Sequence, residues 1–244
     1  PTSVIPRGDS SPSVLPRAER ADLDAITFLP LGSKEPMTWA QSLLANYTDG
    51  IVVLHRGRIV YERYFGVLTP HGQHIAFSVT KSFVATIAAS LIAEGTLDER
   101  ATVSRYVPEL KDSGFGDATV RQVLDMTTGI KFSEAYTDEN SDIWAMGRAA
   151  GLRPRPAGYQ GPMTLLDYLR TVKKESAHGE VFAYKTANTE TLAWILRRVT
   201  GKPLGELLRE RYWTKLGMEH DAYFLVDPAG SDSAGGGLNL TLRD

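Results

Sequence analysis

The chain has 244 residues, enough to bury a sizeable core as one large domain or two lobes. Its 42% apolar and 23% charged residues are those of an ordinary globular protein, and 27 basic against 29 acidic residues leave a net charge of −2. That mixed balance argues against nucleic acid or an anionic membrane as partner, and the lack of cysteine excludes disulfides, thiol catalysis and thiolate-held metals.

Residues 1–37 carry six prolines and several serines, which predicts an extended arm that either wraps over the fold or is partly mobile. Thr38 caps a short helix reaching Ala45. Gly50 to Gly66 reads as a hairpin, with β-rich runs Ile51–His55 and Arg58–Tyr64 flanking an Arg56-Gly57 turn. These are expected to be the first two strands of an antiparallel sheet.

The stretch Ile75 to Gly95 is the centre of the chain. Val79, Phe83, Val84, Ile87, Ala88, Leu91 and Ile92 recur at spacings of three and four, which predicts a buried helix stopped at Gly95. Its polar residues cluster at the start, where Ser78 and Lys81 lie one turn apart on one face. A serine hydroxyl needs a neighbouring base to become a nucleophile. Burial beside an apolar helix and the positive end of the helix dipole both favour a neutral amine that can act as that base. Helix-start N–H groups can also help to hold an oxyanion. The four-residue spacing alone is also compatible with an N-capping serine and an ordinary first-turn lysine.

Beyond Gly95 the chain is predicted to stay helical: Ala101–Tyr106, Val120–Met126 after a Thr119 cap, Thr164–Lys174, Thr189–Thr200 stopped by Gly201, and Leu204–Leu216. Phe132 to Gly161, rich in Gly, Pro and charge with single aromatics, reads as a long loop of the kind that lines a site. Gly230 to Gly237 forms a sharp turn before Leu238–Leu240. The Gly235-Gly236-Gly237 run lacks the context of a phosphate cradle, and no run of about 20 apolar residues suggests a membrane span. Of the five histidines, His71 and His74 make the best pair, and they lack metal spacing, so no metal site is expected. There is no Gly-x-Ser-x-Gly elbow of the α/β-hydrolase type.

Three features now agree: Ser78-Val79-Thr80-Lys81 opening a buried helix, Thr119 to Ile130 about forty residues later, and Gly179 to Asn188 leading into the next long helix. Together they resemble the serine β-lactamase and penicillin-binding superfamily, on its class C and esterase side. The phrases Tyr106 to Leu110, Val123 to Met126 and Ala187 to Trp194 are most similar to its 6-aminohexanoate-dimer hydrolase branch. The resemblance runs from about Ile51 to Asp244. It implies a Ser-Lys-Tyr acyl-transfer centre: Ser78 as nucleophile, Lys81 as its activating partner, and Tyr184 passing a proton to the leaving group, with the proton shared between Lys81 and Tyr184. It further implies substrate contacts from Tyr136 in the long loop and from Thr186 and Asn188. The β-lactamase second motif is Tyr-x-Asn, whereas here Thr186 takes the third place, which fits the dimer-hydrolase branch better than a true β-lactamase.

The fold implied is α+β, a β-lactamase-like two-lobe fold in which an antiparallel sheet with its helices is joined by a helical lobe. The arm at 1–37 would precede the first part of the α/β lobe at 38–75. Residues 76–225 would be the helical lobe with the active site, and 226–244 an incomplete return to the sheet. The function implied is a serine hydrolase that cleaves a small linear amide through an acyl-enzyme, without cofactor or metal. Alternatives on the same site are a carboxylesterase, a weak β-lactamase or a D-amino-acid peptidase; a catalytically dead binding module is the reading from another class. The expected partner is a small-molecule substrate, with no nucleic acid and no membrane, and a homodimer stays open. The location expected is bacterial, soluble and cytoplasmic rather than periplasmic. The superfamily's third motif has no counterpart before Asp244, and the sequence offers only two clear strands. The expectation is therefore an N-terminal part of a longer protein, roughly a hundred residues or more short of a full domain, with a complementary C-terminal fragment as partner.

Overall fold

The computed structural model describes residues 1–244. Its strands are β1 (Thr2–Ile5), β2 (Thr27–Phe28), β3 (Met37–Thr38), β4 (Gly50–His55), β5 (Arg58–Tyr64), β6 (His74–Ile75), β7 (Ala222–Leu225) and β8 (Leu238–Leu240). Its helices are α1 (Trp39–Ala45), α2 (Thr80–Ala93), α3 (Val103–Tyr106), α4 (Val120–Leu124), α5 (Asp142–Ala149), α6 (Leu165–Thr171), α7 (Thr186–Thr200), α8 (Leu204–Leu208) and α9 (Thr214–Leu216).

The apolar stripe of α2 buries Val84, Ile87, Ala88 and Leu91, and Gly95 beyond it takes φ +75°, a left-handed stop that a glycine adopts without strain. On one side α2 packs on α7, which also gathers α3, α4 and α6; on another it meets α8. One core runs through these elements, from Leu110 and Phe115 through Ile195 and Trp213 to Phe224 of β7. Thr38 and Thr119 each close a capping box, accepting from the backbone of Gln41 and Gln122 while those side chains return to the cap N–H groups.

The sheets differ from the sequence expectation. Four strands form one antiparallel sheet in the order β1-β7-β8-β6, while β4 and β5 form a separate hairpin. The hairpin turn is as predicted, with Arg56 at φ +50° and Gly57 at +73°. Its buried apolar residues, Ile59 and Tyr61, are covered by other elements instead of a third strand, and Tyr61 meets Trp39 of α1 edge-on at 6.3 Å. The proline-rich arm supplies β1, whose Ile5 is fully buried, and Ala18 N–H farther along the arm donates to Ile59 O at 2.9 Å. Strand β7, unrecognised in the sequence, pairs Thr2 with Leu225 and Ile5 with Ala222.

Several helical boundaries also shift; α3 starts at Val103, α4 ends at Leu124 and α6 ends at Thr171, two or three residues inside their predicted limits. The predicted loop 132–161 contains α5, because Ile143, Met146 and Ala150 hold helical spacing among the prolines and glycines that dominate the composition. Helix α7 begins at Thr186, three residues before the predicted Thr189. The predicted single helix Leu204–Leu216 is interrupted by a π-helical turn at Arg209–Trp213 and ends at Gly217, φ +67°.

Candidate active site

Ser78 sits on the short 3-10 turn Phe77–Val79 that leads into α2. Phe77 just before it is held at φ +44°, a left-handed conformation that is strained for an aromatic residue and re-aims the chain at this point. Lys81, one turn on, is 8% exposed, and its Nζ lies 3.0 Å from Ser78 Oγ. The same Nζ donates to the carbonyl of Gly235 at 2.5 Å. Ser78 Oγ and Lys81 Nζ are thus within proton-transfer distance. The ring of Tyr184 approaches from the turn before α7, its centroid 5.1 Å from Lys81 Nζ, and the residue is 40% exposed. Ser78 and Lys81 are therefore within hydrogen-bond distance, and Tyr184 faces the same amine with its ring and makes no hydrogen bond to it.

Tyr136 and Thr186 are drawn together by a residue the sequence reading passed over, Glu134. Thr186 donates to its carboxylate twice, through the hydroxyl and, at 3.0 Å, through the N–H that opens α7; the Tyr136 hydroxyl donates at 2.6 Å. A carboxylate at a helix N-terminus is favoured by the dipole as well as by the bonds. Burial, then the hydrogen bond to Glu134, pushes the Tyr136 phenol up to about 12, so it stays a donor at neutral pH. Tyr136, Thr186 and Ser78 line a cavity of about 410 Å³ whose far wall is apolar, with Ile143, Met146 and Leu165.

Asn188 corrects the expectation of a substrate contact. It is wholly buried, and its Oδ1 accepts from the Thr128 hydroxyl at 2.6 Å, away from the cavity. The cause is the early start of α7. With Thr186 already helical and facing the site, a residue two positions on points to the other side of the helix.

The residue most clearly missed is Glu190, which lines the cavity at 2% exposure. It lies one turn beyond Thr186 on the same face of α7, and a lone carboxylate on the apolar side of a helix was the available signal. Its Oε1 accepts from Gly235 N–H at 2.7 Å and its Oε2 from Ala234 N–H at 3.1 Å. The glycine run judged unfit for phosphate thus serves as a wall of the site. Lys185, although next to Tyr184, is tied elsewhere, donating to Ile130 O and, at 3.0 Å, to Glu175.

The histidines form a different pair from the one the sequence suggested. His71 Nδ1 lies 2.9 Å from His220 Nε2, while His74 contacts Asp49. No group of three or more His, Cys, Asp and Glu side chains is arranged to hold a metal ion, and no helix is long and apolar enough to cross a membrane.

Residues 40–239 match the Beta-lactamase family. Across its whole length the sequence is 36% identical to 6-aminohexanoate-dimer hydrolase of Paenarthrobacter ureafaciens, in an alignment covering 59% of that protein. A solved Bacillus anthracis structure carrying the same name provisionally superimposes with a TM-score of 0.92 at 35% identity, over 100% of this chain and 63% of that one. A class C β-lactamase superimposes with a TM-score of 0.59 over 84% of this chain and 59% of that one; at 20% identity this likeness shows the α+β fold alone. The chain spans about three fifths of the length of these relatives.

Proposed function

This chain belongs to the Beta-lactamase family, and from that premise we propose that it carries the nucleophile site of a serine hydrolase cleaving a small linear amide of the 6-aminohexanoate-dimer type. The observation that carries the reading is the 3.0 Å approach of the buried Lys81 amine to Ser78 Oγ, which is exposed at the head of α2. Lys81 takes the serine proton as Oγ attacks the amide carbonyl. Tyr184, against the lysine, hands a proton to the departing amine, and the C–N bond breaks to leave an acyl-enzyme ester on Ser78. Water then enters, loses its proton to the same pair and releases the acid. The apolar wall of the cavity suits an aliphatic chain, and the Tyr136 and Thr186 hydroxyls, whose protons go to Glu134, leave acceptor oxygens beside it. The scheme requires neither metal nor cofactor. The burial of Asn188 supports a linear amide over a β-lactam, since no amide side chain from the second motif reaches the cavity.

A panel of linear amides, short esters and β-lactams tests the reading, together with fluorophosphonate labelling of the full chain. Wild type is expected to label at Ser78 and to turn over linear amides. Ser78→Ala and Lys81→Ala are each expected to lose nearly all activity with the fold intact, and the double variant to be little worse than either. Retention of most activity by Lys81→Ala would defeat the Ser-Lys mechanism.

A further inference from the structure

Glu190 buries a carboxyl group where an apolar residue would be less costly to fold. All its hydrogen bonds run to one segment: the N–H groups of Ala234 and Gly235 at 3.1 and 2.7 Å, and the Ser233 hydroxyl at 3.4 Å. Gly235 thus has its N–H held by Glu190 while its carbonyl receives Lys81 Nζ at 2.5 Å. The packing leaves this residue no side chain, because a Cβ would stand 2.4 Å from Thr186 Cγ2 and 2.9 Å from Glu190 Oε1.

We infer that Glu190 is a positioning residue for the Ser78–Lys81 pair: it fixes Gly235 so that the glycine carbonyl holds the lysine amine against the serine hydroxyl. The inference rests on the serine-hydrolase reading above. Lys81 faces the carboxyl group from α2, and the Ser233–Gly235 segment faces it with one hydroxyl and two N–H groups. Burial pushes Glu190 up to about 7, against the opposing pull of the Gly235 and Ala234 N–H groups, Lys81 and Ser233. The carboxylate accepts strongly through both oxygens, whereas in the acid form one of them carries a proton and becomes a donor facing the N–H groups. The clamp therefore tightens as pH rises through neutrality.

The test is the rate of fluorophosphonate labelling of Ser78 against pH, in wild type and Glu190→Gln. The amide keeps the side chain's volume but turns an N–H₂ toward one of the backbone donors. Wild type is expected to show a rise centred near pH 7. The variant should lose that rise and label between about tenfold and a hundredfold more slowly, as for a misplaced catalytic group. A folded Glu190→Gln that labels at the wild-type rate with the rise intact overturns the inference and leaves the hydrolase reading standing. If wild type itself does not label, the hydrolase reading falls and amide exchange at Ala234 and Gly235 decides: faster exchange in the variant supports the clamp, and equal exchange overturns it. Should the variant fail to fold, a wild-type profile flat for a unit either side of the expected centre overturns the inference, and an inflected one supports it.

Discussion

A carboxyl group that titrates near neutrality inside a protein has consequences for stability as well as for chemistry. In the unfolded chain Glu190 releases its proton around 4.5, whereas burial holds it in the folded chain up to about 7. Between those points the folded state binds the extra proton, so the contribution is fully present below the unfolded value and is lost as pH rises through the folded one. The shift corresponds to on the order of 3 kcal/mol. Melting curves of Glu190→Gln and wild type should therefore move apart in favour of the variant on going from the acid to the alkaline side of this window. A difference constant with pH would mean that Glu190 titrates normally. Tyr184 makes a different prediction. It lies against Lys81 with little contact area to lose, so Tyr184→Phe should lower kcat far more than it raises KM. An unchanged kcat with a raised KM would make it a packing residue.

Elements whose signals are local were legible in the sequence. The stripe of α2, the Arg56-Gly57 turn and the Thr119 cap rest on signals local to each element, and each forms where its chemistry predicts. Thr119→Ala should accordingly cost about 1 kcal/mol in denaturant unfolding; no loss would show that the box is redundant with packing. The Ser78 and Lys81 spacing was legible for the same reason, being one helical turn. What was not legible depends on partners far away. Strand β7 has only four residues, and although the Asp227–Gly230 turn follows it, it becomes a strand by pairing with β1 and β8. Helix α5 was masked by Gly147 within it and by Gly151, Pro154 and Pro156 after it, and the early start of α7 turned Asn188 inward. Glu190 meets Gly235 from 45 positions away, so neither residue announced its role. Gly235→Ala should be strongly damaging, since a Cβ there would press on the buried Thr186 and Glu190 side chains at 2.4 and 2.9 Å. A fully active Gly235→Ala would show that the segment can shift freely.

At the scale of the whole molecule, Glu62 joins three distant parts of the chain. From strand β5 it accepts from Arg17 of the arm, from the Tyr64 hydroxyl at 2.5 Å and from Arg243 Nε at 2.6 Å, while its own side chain is 4% exposed. Burial pushes its carboxyl up, but Arg243, Tyr64 and Arg17 outweigh that and leave it below its ordinary value. A lowered carboxyl contributes stability that is present above the unfolded value and lost as pH falls through the folded one, so this junction should weaken in acid. Glu62→Gln should destabilise the protein by roughly 2 kcal/mol at neutral pH and little at acid pH; an equal loss at both would remove the charge from the explanation. The four-stranded sheet has another consequence, for the order in which the molecule folds. Thr2 pairs with Leu225 across nearly the whole sequence, whereas α2, α4 and the hairpin close on their own neighbours. Contacts so distant in sequence carry a large loop-closure entropy and form slowly. On refolding, helical ellipticity should appear before the amides of β1 and β7 gain protection. In that interval β7 stands as an open edge able to pair with another chain, so β1 is the last strand to be secured and the one that covers this edge.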